Sequence, residues 1–315
     1  MNIVRKSRAV QLSIGLIAAS AVLIPIGASA EDLYVAGYNG GVIQKISSTG
    51  ISTTFATGFN NPIGIAFDSS GNLTVANYGT GAIKKISPTG IVTTFASIQG
   101  PFGPAGLAFD SSGNLAVGGL ISDSIEKIFS TGAISPVPFF SNGLNLDPVG
   151  LAFDSSGNLF EADYLSGKIN KISSTGIVTS FDTGLSRPFG LAFDANDNLF
   201  VSDYGTGGLN SGTINKISSS GVVTPFVTGL NSPTALAFDS SDTLFASEYG
   251  SSRIIKISST GVVTPFATNV SSWGLAFAPS ATSTAVPEPF TIVGTLIGGT
   301  AALRMRKKLK SSGKV

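Results

Sequence analysis

Residues Gly190 to Tyr204 read GLAFDANDNLFVSDY, and close copies of this stretch recur along most of the chain. In GLAFD, Leu191 and Phe193 point to one face while Gly190, Ala192 and Asp194 point to the other, because side chains alternate along a strand. Small residues on one face invite large ones from a neighbouring sheet. LFVSDY opens apolar on both faces, as a strand covered on both sides does. Asp194 to Asn198 reads as the hairpin between them, with the Asp accepting backbone N–H bonds and a later position needing positive φ. That later position is Gly71, Gly113 or Gly157 in other copies and Asp197 or Asp242 here and in the next, types that tolerate the left-handed region.

The block returns as GIAFD at 64, GLAFD at 106 and 150, ALAFD at 235 and GLAFA at 274. Its phenylalanines, at 67, 109, 153, 193, 238 and 277, are spaced by 42, 44, 40, 45 and 39 residues. A period near 40 with four short strand-like segments predicts propeller blades. A third segment ends in Lys-Ile at 45, 85, 127, 171, 216 and 256, and an STG-type turn leads to a fourth, such as VVTPF at 222. Pro225 and Pro265 would each remove a ladder bond from a central strand, which makes the fourth segment the outer edge.

The order of segments predicts how the ring shuts. DLYVAGY at 32 is a second strand lacking a first, and WGLAFA at 273 is a first strand lacking a second. Pairing them gives an all-β, six-bladed β-propeller over residues 31–278 with no unpaired edge at the seam. The alternative, an open solenoid, leaves the last GLAFA unpaired.

Residues 1–30 carry Arg5, Lys6 and Arg8, an apolar run, and Ala28-Ser29-Ala30, the form of a secretory signal helix cut after small residues, with Ala28 and Ala30 at the cleavage site. There is no cysteine, so export brings no disulfide framework and stability falls to packed blades. Residues 279–285 read as a linker. Val286, Pro287, Glu288 and Pro289 follow, then an apolar stretch from Phe290 to Leu303, then Arg304, Arg306, Lys307, Lys308 and Lys310. Fourteen residues are short of the roughly 20 that span a bilayer, although basic side chains lengthen the reach by snorkelling. Residues 286–315 resemble the PEP-CTERM sorting signal of Gram-negative bacteria: a Pro-Glu-Pro triplet, a short hydrophobic helix and a basic end. The resemblance implies transient membrane anchoring, cleavage by an exosortase after signal peptidase has acted, and delivery to the cell surface or the extracellular exopolysaccharide. A plain tail anchor is the competing reading.

Between Glu31 and Pro289, ten basic residues face all eighteen acidic ones, so the exported body carries −8 although the whole chain is near neutral. Both basic clusters sit where the positive-inside rule keeps them cytoplasmic, which places the body across the inner membrane. An acidic body without a basic aromatic surface excludes nucleic acid as partner.

The blades resemble NHL repeats and the virginiamycin B lyase and gluconolactonase (regucalcin-like) propellers, in P-x-G, LAFD, GNLFVADY-like and IxKIS-like segments. The resemblance implies the fold; its members include binding modules and enzymes. Antiparallel order gathers the SSGN and STG turns on one rim. The opposite rim collects the loops entering first strands and leaving second strands, where the copies differ. Blade five has 12 residues from Tyr204 to Lys216 where the other five copies take 7. Unequal residues on a regular scaffold mark a binding surface. The exit positions carry five tyrosines, and the candidate ligand set is Tyr78, Tyr164, Tyr204, Tyr249, Asp147, Arg187 and Trp273. For each a plainer role stands alongside: edge packing for the tyrosines, pairing of Arg187 with Asp147, a plug at the ring closure for Trp273.

With no His and no Cys, the usual general base and thiol nucleophile are missing, and a histidine-dependent lyase mechanism does not carry over. The expectation is a non-catalytic surface or matrix module that needs no cofactor and binds polysaccharide or an exported protein. The alternative is a metal-dependent lactonase- or lyase-like enzyme with Ca or Zn held by Asn77, Asp163, Asp203 and Glu248 at the channel mouth. Capping of the loop that follows competes for Asp163, Asp203 and Glu248. The repeated SSGN aspartates lack the alternating acidic ligands of a calcium loop and read as turn caps.

Overall fold

The computed structural model describes residues 31–99, 103–120, 122, 124–136, 140–141, 147–270 and 272–279; the signal segment, most of the linker and the sorting segment lie outside them. Six four-stranded antiparallel sheets form the blades, each ordered from the inner strand outward. The first blade takes its inner strand, Gly274–Phe277, from the far end of the chain. That strand pairs with Leu33–Gly37 in the register Leu33↔Phe277 and Val35↔Leu275, and Ala278 N–H donates to Asp32 O at 3.2 Å to extend the ladder. Each inner strand packs against the inner strands of both neighbouring blades, so the six units form a closed ring. The predicted latch is present, and the linear alternative is excluded.

Glycine in GLAFD sets how close the blades come. A Cβ added at Gly64, Gly106, Gly150, Gly190 or Gly274 would lie under 3.0 Å from a carbonyl oxygen of the next inner strand: Ala105, Val149, Phe189, Thr234 and Ile63 respectively. A side chain there meets backbone, which has nowhere to move. The sixth blade has Ala235 in this position; its Thr234 hydroxyl donates instead to Ser272 O at 3.0 Å across the seam.

Between blades the large side chains interlock. The second-strand aromatics Tyr34, Phe160, Phe200 and Phe245 meet the inner-strand Phe67, Phe193, Phe238 and Phe277 of the next blade edge to face, at 5.0 to 5.3 Å between centroids. The repeated lysines cover those rings, with the ammonium groups of Lys45, Lys171, Lys216 and Lys256 at 5.1 to 5.9 Å from the centroids. These are cation–π contacts with a stabilising pull of about 0.5–1 kcal/mol each when exposed.

The SSGN turns behave as the sequence predicts. Asp68 Oδ1, for example, accepts N–H bonds from Ser70 and Asn72 at 3.0 and 2.8 Å, and Gly71, Gly113, Gly157, Asp197 and Asp242 all have φ between 60 and 79°. The two aspartates add a bond the glycines cannot make. Asp197 Oδ1 accepts from Ser155 N–H at 3.0 Å and Asp242 Oδ1 from Ala195 N–H at 2.9 Å, each reaching the turn of the preceding blade.

Outer strands carry the prolines, as expected: Pro225 lies opposite Asn215 and Pro265 opposite Ile255, each beside a register shift. Blade three departs from the pattern. Its outer edge is a bridge, Ile128↔Ile134, followed by a two-residue strand, Phe140–Ser141. Pro136 and Pro138 deprive this segment of two N–H donors, so a continuous ladder is not available to it.

Gly150→Ala is therefore expected to destabilise the propeller by about 1–3 kcal/mol or more through overpacking, whereas Gly208→Ala, with no atom near the added Cβ, changes little. Denaturant midpoints of the two variants check this; equal midpoints would remove the glycine argument.

Candidate functional site

The rim opposite the repeated turns is shaped by a latch inside blades three to six. The residue leaving the second strand donates its N–H to the carbonyl of the residue just before the inner-strand proline: Tyr164 to Asp147 at 3.3 Å, Tyr204 to Arg187 at 2.9 Å, Tyr249 to Ser232 at 3.1 Å, and Leu120 to Gly103 at 3.0 Å. Gly103 and Ser232 present that carbonyl from the left-handed region, with φ of 56 and 52°. The latch fixes the backbone of these four exit residues and leaves their side chains to lie toward the mouth of the ring.

The aromatic side chains meet there. Trp273, entering the last inner strand, lies 5.3 Å from Tyr38 of the first blade, 5.1 Å from Tyr249 of the sixth and 5.2 Å from Phe189 of the fifth, between ring centroids. Blades one and five are not neighbours, so the indole reaches over the central opening. Tyr38 continues to Tyr78 at 6.4 Å; Phe189 continues to Tyr164 at 6.1 Å, and Tyr164 to Tyr204 at 6.5 Å. The result is a continuous aromatic path across the mouth. Its five tyrosines and the tryptophan are half-buried, so each ring keeps exposed surface. Tyr38 and Phe189 join the four expected tyrosines. Their variable register marked both as rim residues, and only the reach of Trp273 across the ring shows that they belong together.

Beneath Trp273 the inner strands line an open hollow of about 140 Å³, bounded by Gly64, Gly106, Gly150, Gly190 and Gly274 with the Ile or Leu that follows each. Water takes about 30 Å³ per molecule in the liquid, so this opening holds a few waters. It is smaller than the roughly 300–1,000 Å³ of organic ligand pockets. Binding of anything larger falls to the surface of the mouth. Two larger hollows, of about 330 and 240 Å³, lie between blades on the opposite rim among the repeated Lys, Phe and Ser positions, and are features of the scaffold.

The four residues considered as metal ligands are buried in separate blades and hold loops. Asn77 Oδ1 accepts from Asn60 N–H at 2.6 Å. Asp163 Oδ1 accepts from Leu165 and Ser166 N–H at 3.1 Å, and its Oδ2 from the Ser166 hydroxyl. Asp203 accepts from Ser186, Arg187 and Gly205 N–H at 2.9, 2.8 and 3.1 Å. Glu248 Oε1 accepts from Asn231 N–H at 2.8 Å, while Oε2 takes the Arg253 guanidinium. Among the described residues no three acidic side chains gather at a point where one cation would touch them. Capping of the following loop is the role expected for Asp163, Asp203 and Glu248. Asp163 caps, and Asp203 both caps and clamps the loop entering its own blade. Glu248 and Asn77 clamp the entering loop 17 residues earlier, and Glu248 makes no cap bond to the turn after it. Arg187, read in the sequence as a partner for Asp147, has its guanidinium 5.8 Å from the Tyr164 ring centroid. Burial raises the Tyr164 pKa, against the nearby Arg187 charge, so the hydroxyl stays protonated.

Architecture and site together define a six-bladed propeller with an aromatic rim. No protein-family model matches the chain, and no curated protein matches it in sequence. Solved structures do match in fold. A streptogramin B lyase superposes with a TM-score of 0.62 at 17% identity, over 82% of this chain and 93% of its own. Virginiamycin B lyase from Staphylococcus aureus, in a catalytically inactive histidine-to-alanine form with quinupristin, gives 0.61 at 17% over 80% and 94%. A chain of the nidogen/laminin complex gives 0.69 at 22% over 79% and 99%. The neighbours thus include an enzyme and a binding complex, and at these identities they establish the fold.

The strongly perturbed carboxyl lies away from the mouth. Glu161 stands on a second strand where the other blades have Val35, Val75, Val117, Val201 and Ala246. It is fully buried; Asn170 Nδ2 donates to Oε2 at 2.7 Å, the Ser180 hydroxyl donates on to Asn170, and Oε1 has no hydrogen-bond partner. Burial pushes its pKa up to about 8, with the Asn170 bond opposing and the Asp163 charge adding. The folded protein therefore holds a proton that the unfolded chain, with a pKa of 4.5, releases. Stability falls as pH rises from 4.5 toward 8, by about 1.4 kcal/mol per pH unit at most, and levels above. Glu161→Gln is expected to match the parent in Tm near pH 4.5 and to exceed it increasingly toward pH 8; a gap independent of pH would refute the buried neutral carboxyl.

Proposed function

We propose that this chain is an exported, non-catalytic binding propeller that grips the ring faces of an extended carbohydrate on its aromatic rim. The observation that carries the reading is the continuous path from Tyr78 through Tyr38, Trp273, Phe189 and Tyr164 to Tyr204. Phe189 is buried and joins the path from beneath. The half-buried tyrosines and tryptophan present apolar ring surface beside hydroxyls, at little ordering cost on binding where the backbone is latched, as at Tyr164 and Tyr204. Sugar rings offer apolar C–H faces and a rim of hydroxyls, which suits such a surface. The channel is too small to take a polymer, so the polymer lies across it.

Chemistry on the rim is poorly provided for. The chain has no histidine, whereas the Staphylococcus aureus lyase is inactivated by losing one. The rim carboxylates are buried and already accept loop N–H groups or a guanidinium, so a resident divalent metal would have to break those bonds.

The segments outside the described residues give the setting. Residues 1–30 serve as a signal peptide, and Val286, Pro287, Glu288 and Pro289 with the basic end serve as a PEP-CTERM tail cut by an exosortase. The tail anchors the chain in the membrane for a time, and the body passes to the surface or exopolysaccharide of a Gram-negative-type bacterium.

Tyr78→Ala and Tyr204→Ala, at the two ends of the path, are each expected to weaken retention on the producer's immobilised exopolysaccharide by about fivefold, the loss of roughly 1 kcal/mol of ring contact. Their Tm values should stay near the parent's. Unchanged retention in both would sink the carbohydrate reading.

A further inference from the structure

Exposed apolar side chains are not spread evenly over the propeller. Among the described residues nine large ones are exposed, and seven stand on the rim of the repeated turns, in or just after the turn from third to fourth strand. Ile51, Ile91, Ile177, Val222 and Val262 hold the same place in five blades and are 60 to 67% exposed; blade three puts Phe129 and Ile134 there, at 38 and 37%. Single exposed aliphatics are ordinary on a protein surface, but one from every blade on the same rim makes a ring of tips facing one way. The tips are also held in place. In the five regular blades the N–H of the aliphatic donates to the Ser Oγ four residues earlier at 3.0 to 3.3 Å, and that Oγ pairs with the hydroxyl two residues on at 2.9 Å. Both ends of the propeller come out on this rim. Glu31 Oε2 accepts from Ser240 N–H at 3.0 Å, in the turn between the first and second strands of blade six, and Gly274–Phe277 runs from Trp273 at the mouth to Ala278, beside Asp32. Phe290, where the apolar stretch of the tail begins, is eleven residues past Pro279. That is a reach of at most about 40 Å when fully extended.

Resting on the reading of residues 286–315 as a membrane anchor, we propose that the anchored propeller stands on the bilayer on this rim, its apolar tips in the headgroup layer of a zwitterionic lipid surface and its aromatic mouth turned outward to the polymer. Aliphatic tips gain by leaving water, and the hydroxyls of the Ser-Thr turns around them exchange water for headgroup oxygens. The tether turns each encounter with the surface into a local one, so shallow contacts suffice. Charge points to the kind of lipid. Lys45 pairs with Asp32 at 2.6 Å, Lys85 with Asp68 at 2.9 Å and Lys171 with Asp154 at 3.4 Å, so the rim presents ammonium and anion together, as a zwitterionic headgroup does. Asp197 and Asp242, in the turns of blades five and six, add negative charge, which disfavours an anionic surface.

The chain has no cysteine, so a single introduced thiol carries the only label. The test reconstitutes the chain from Glu31 through its tail into vesicles of phosphatidylethanolamine and phosphatidylcholine. An environment-sensitive fluorophore is placed on Ile91→Cys or, on the opposite rim, on Leu209→Cys, where the native side chain is 85% exposed. Emission from position 91 is expected to shift to the blue and to be quenched by lipids brominated on the acyl chain, while position 209 keeps its aqueous spectrum. Ile51→Ser, Ile177→Ser and Val262→Ser together should abolish the quenching at 91 and leave Tm near the parent's, since these side chains are mostly exposed. Partial replacement of the lipid by phosphatidylglycerol should weaken the quenching, and stronger quenching would overturn the lipid class assigned. Aqueous spectra at both positions, in a chain that floats with the vesicles in a density gradient, would overturn the proposal and leave the anchor standing. A chain that does not float would overturn the anchor reading and the proposal together. A blue shift at 91 that appears without vesicles and grows with protein concentration would put a second copy of the chain on this rim and overturn the bilayer as its partner.

Discussion

The contact of each inner-strand glycine with the carbonyl of the next inner strand is the constraint that the rest of the molecule obeys. It sets the radius of the ring, because a side chain at Gly150 or Gly190 would hold neighbouring blades apart. Once the radius is fixed, the interlocked aromatics between second strands and the next inner strands fall into edge-to-face range, as Phe200 does with Phe238. A small radius also leaves an opening of only about 140 Å³. The loops that bear the variable residues are thereby drawn within a side chain's length of each other. That is how Trp273 touches blade five from blade one.

The polar groups of the rim serve the same end. In most binding proteins carboxylates at such a mouth would be candidates for ligands. Here Asn77, Asp163, Asp203 and Glu248 turn inward to satisfy loop N–H groups that strand ends leave unpaired, at positions at most 8% exposed. Burying them is tolerable because each carboxylate or amide finds donors at hydrogen-bond distance. What they leave at the surface includes the aromatic rings, with Arg187 beside them and polar loop residues such as Asn60 and Ser186 around them. The character of the mouth follows from how the loops are held.

Much of the architecture was legible in the amino-acid sequence because repetition turns weak local signals into a strong one. The LAFD register, the outer-edge prolines and the seam between residues 33–37 and 274–277 all follow from counting segments. The site was legible only as a set of variable positions. Neither period nor alternation says how far an indole reaches across a ring, so Tyr38 and Phe189 did not stand out. Nor does a single acidic residue after a strand reveal which loop it caps; Asp203 serves the loop before its blade as well as the one after. Glu161 is a third case. In the pattern it breaks a run of valines, and what tolerates it, Asn170 on the neighbouring strand, shares no local signature with it.

Apart from the broken outer edge and Leu120 of blade three and the buried Glu161 of blade four, the departures from sixfold regularity fall together, and this argues for where specificity resides. Blade five has the long loop and Arg187, and blade one receives its inner strand from the chain end and with it Trp273. Blade six, between them, has Ala235 in place of the glycine. A ring of identical blades presents the same surface six times and selects poorly, since a ligand finds six equivalent sites. Concentrating the exceptions on blades one, five and six, with Tyr164 from blade four, breaks that equivalence and gives the mouth one distinct side. The seam must exist to close the ring. Its inner strand comes from the far end of the chain, and Trp273 at its leading end donates its N–H to Ala36 O at 3.3 Å. The strand that completes the scaffold thereby also places the indole that marks the one side of the mouth unlike the rest.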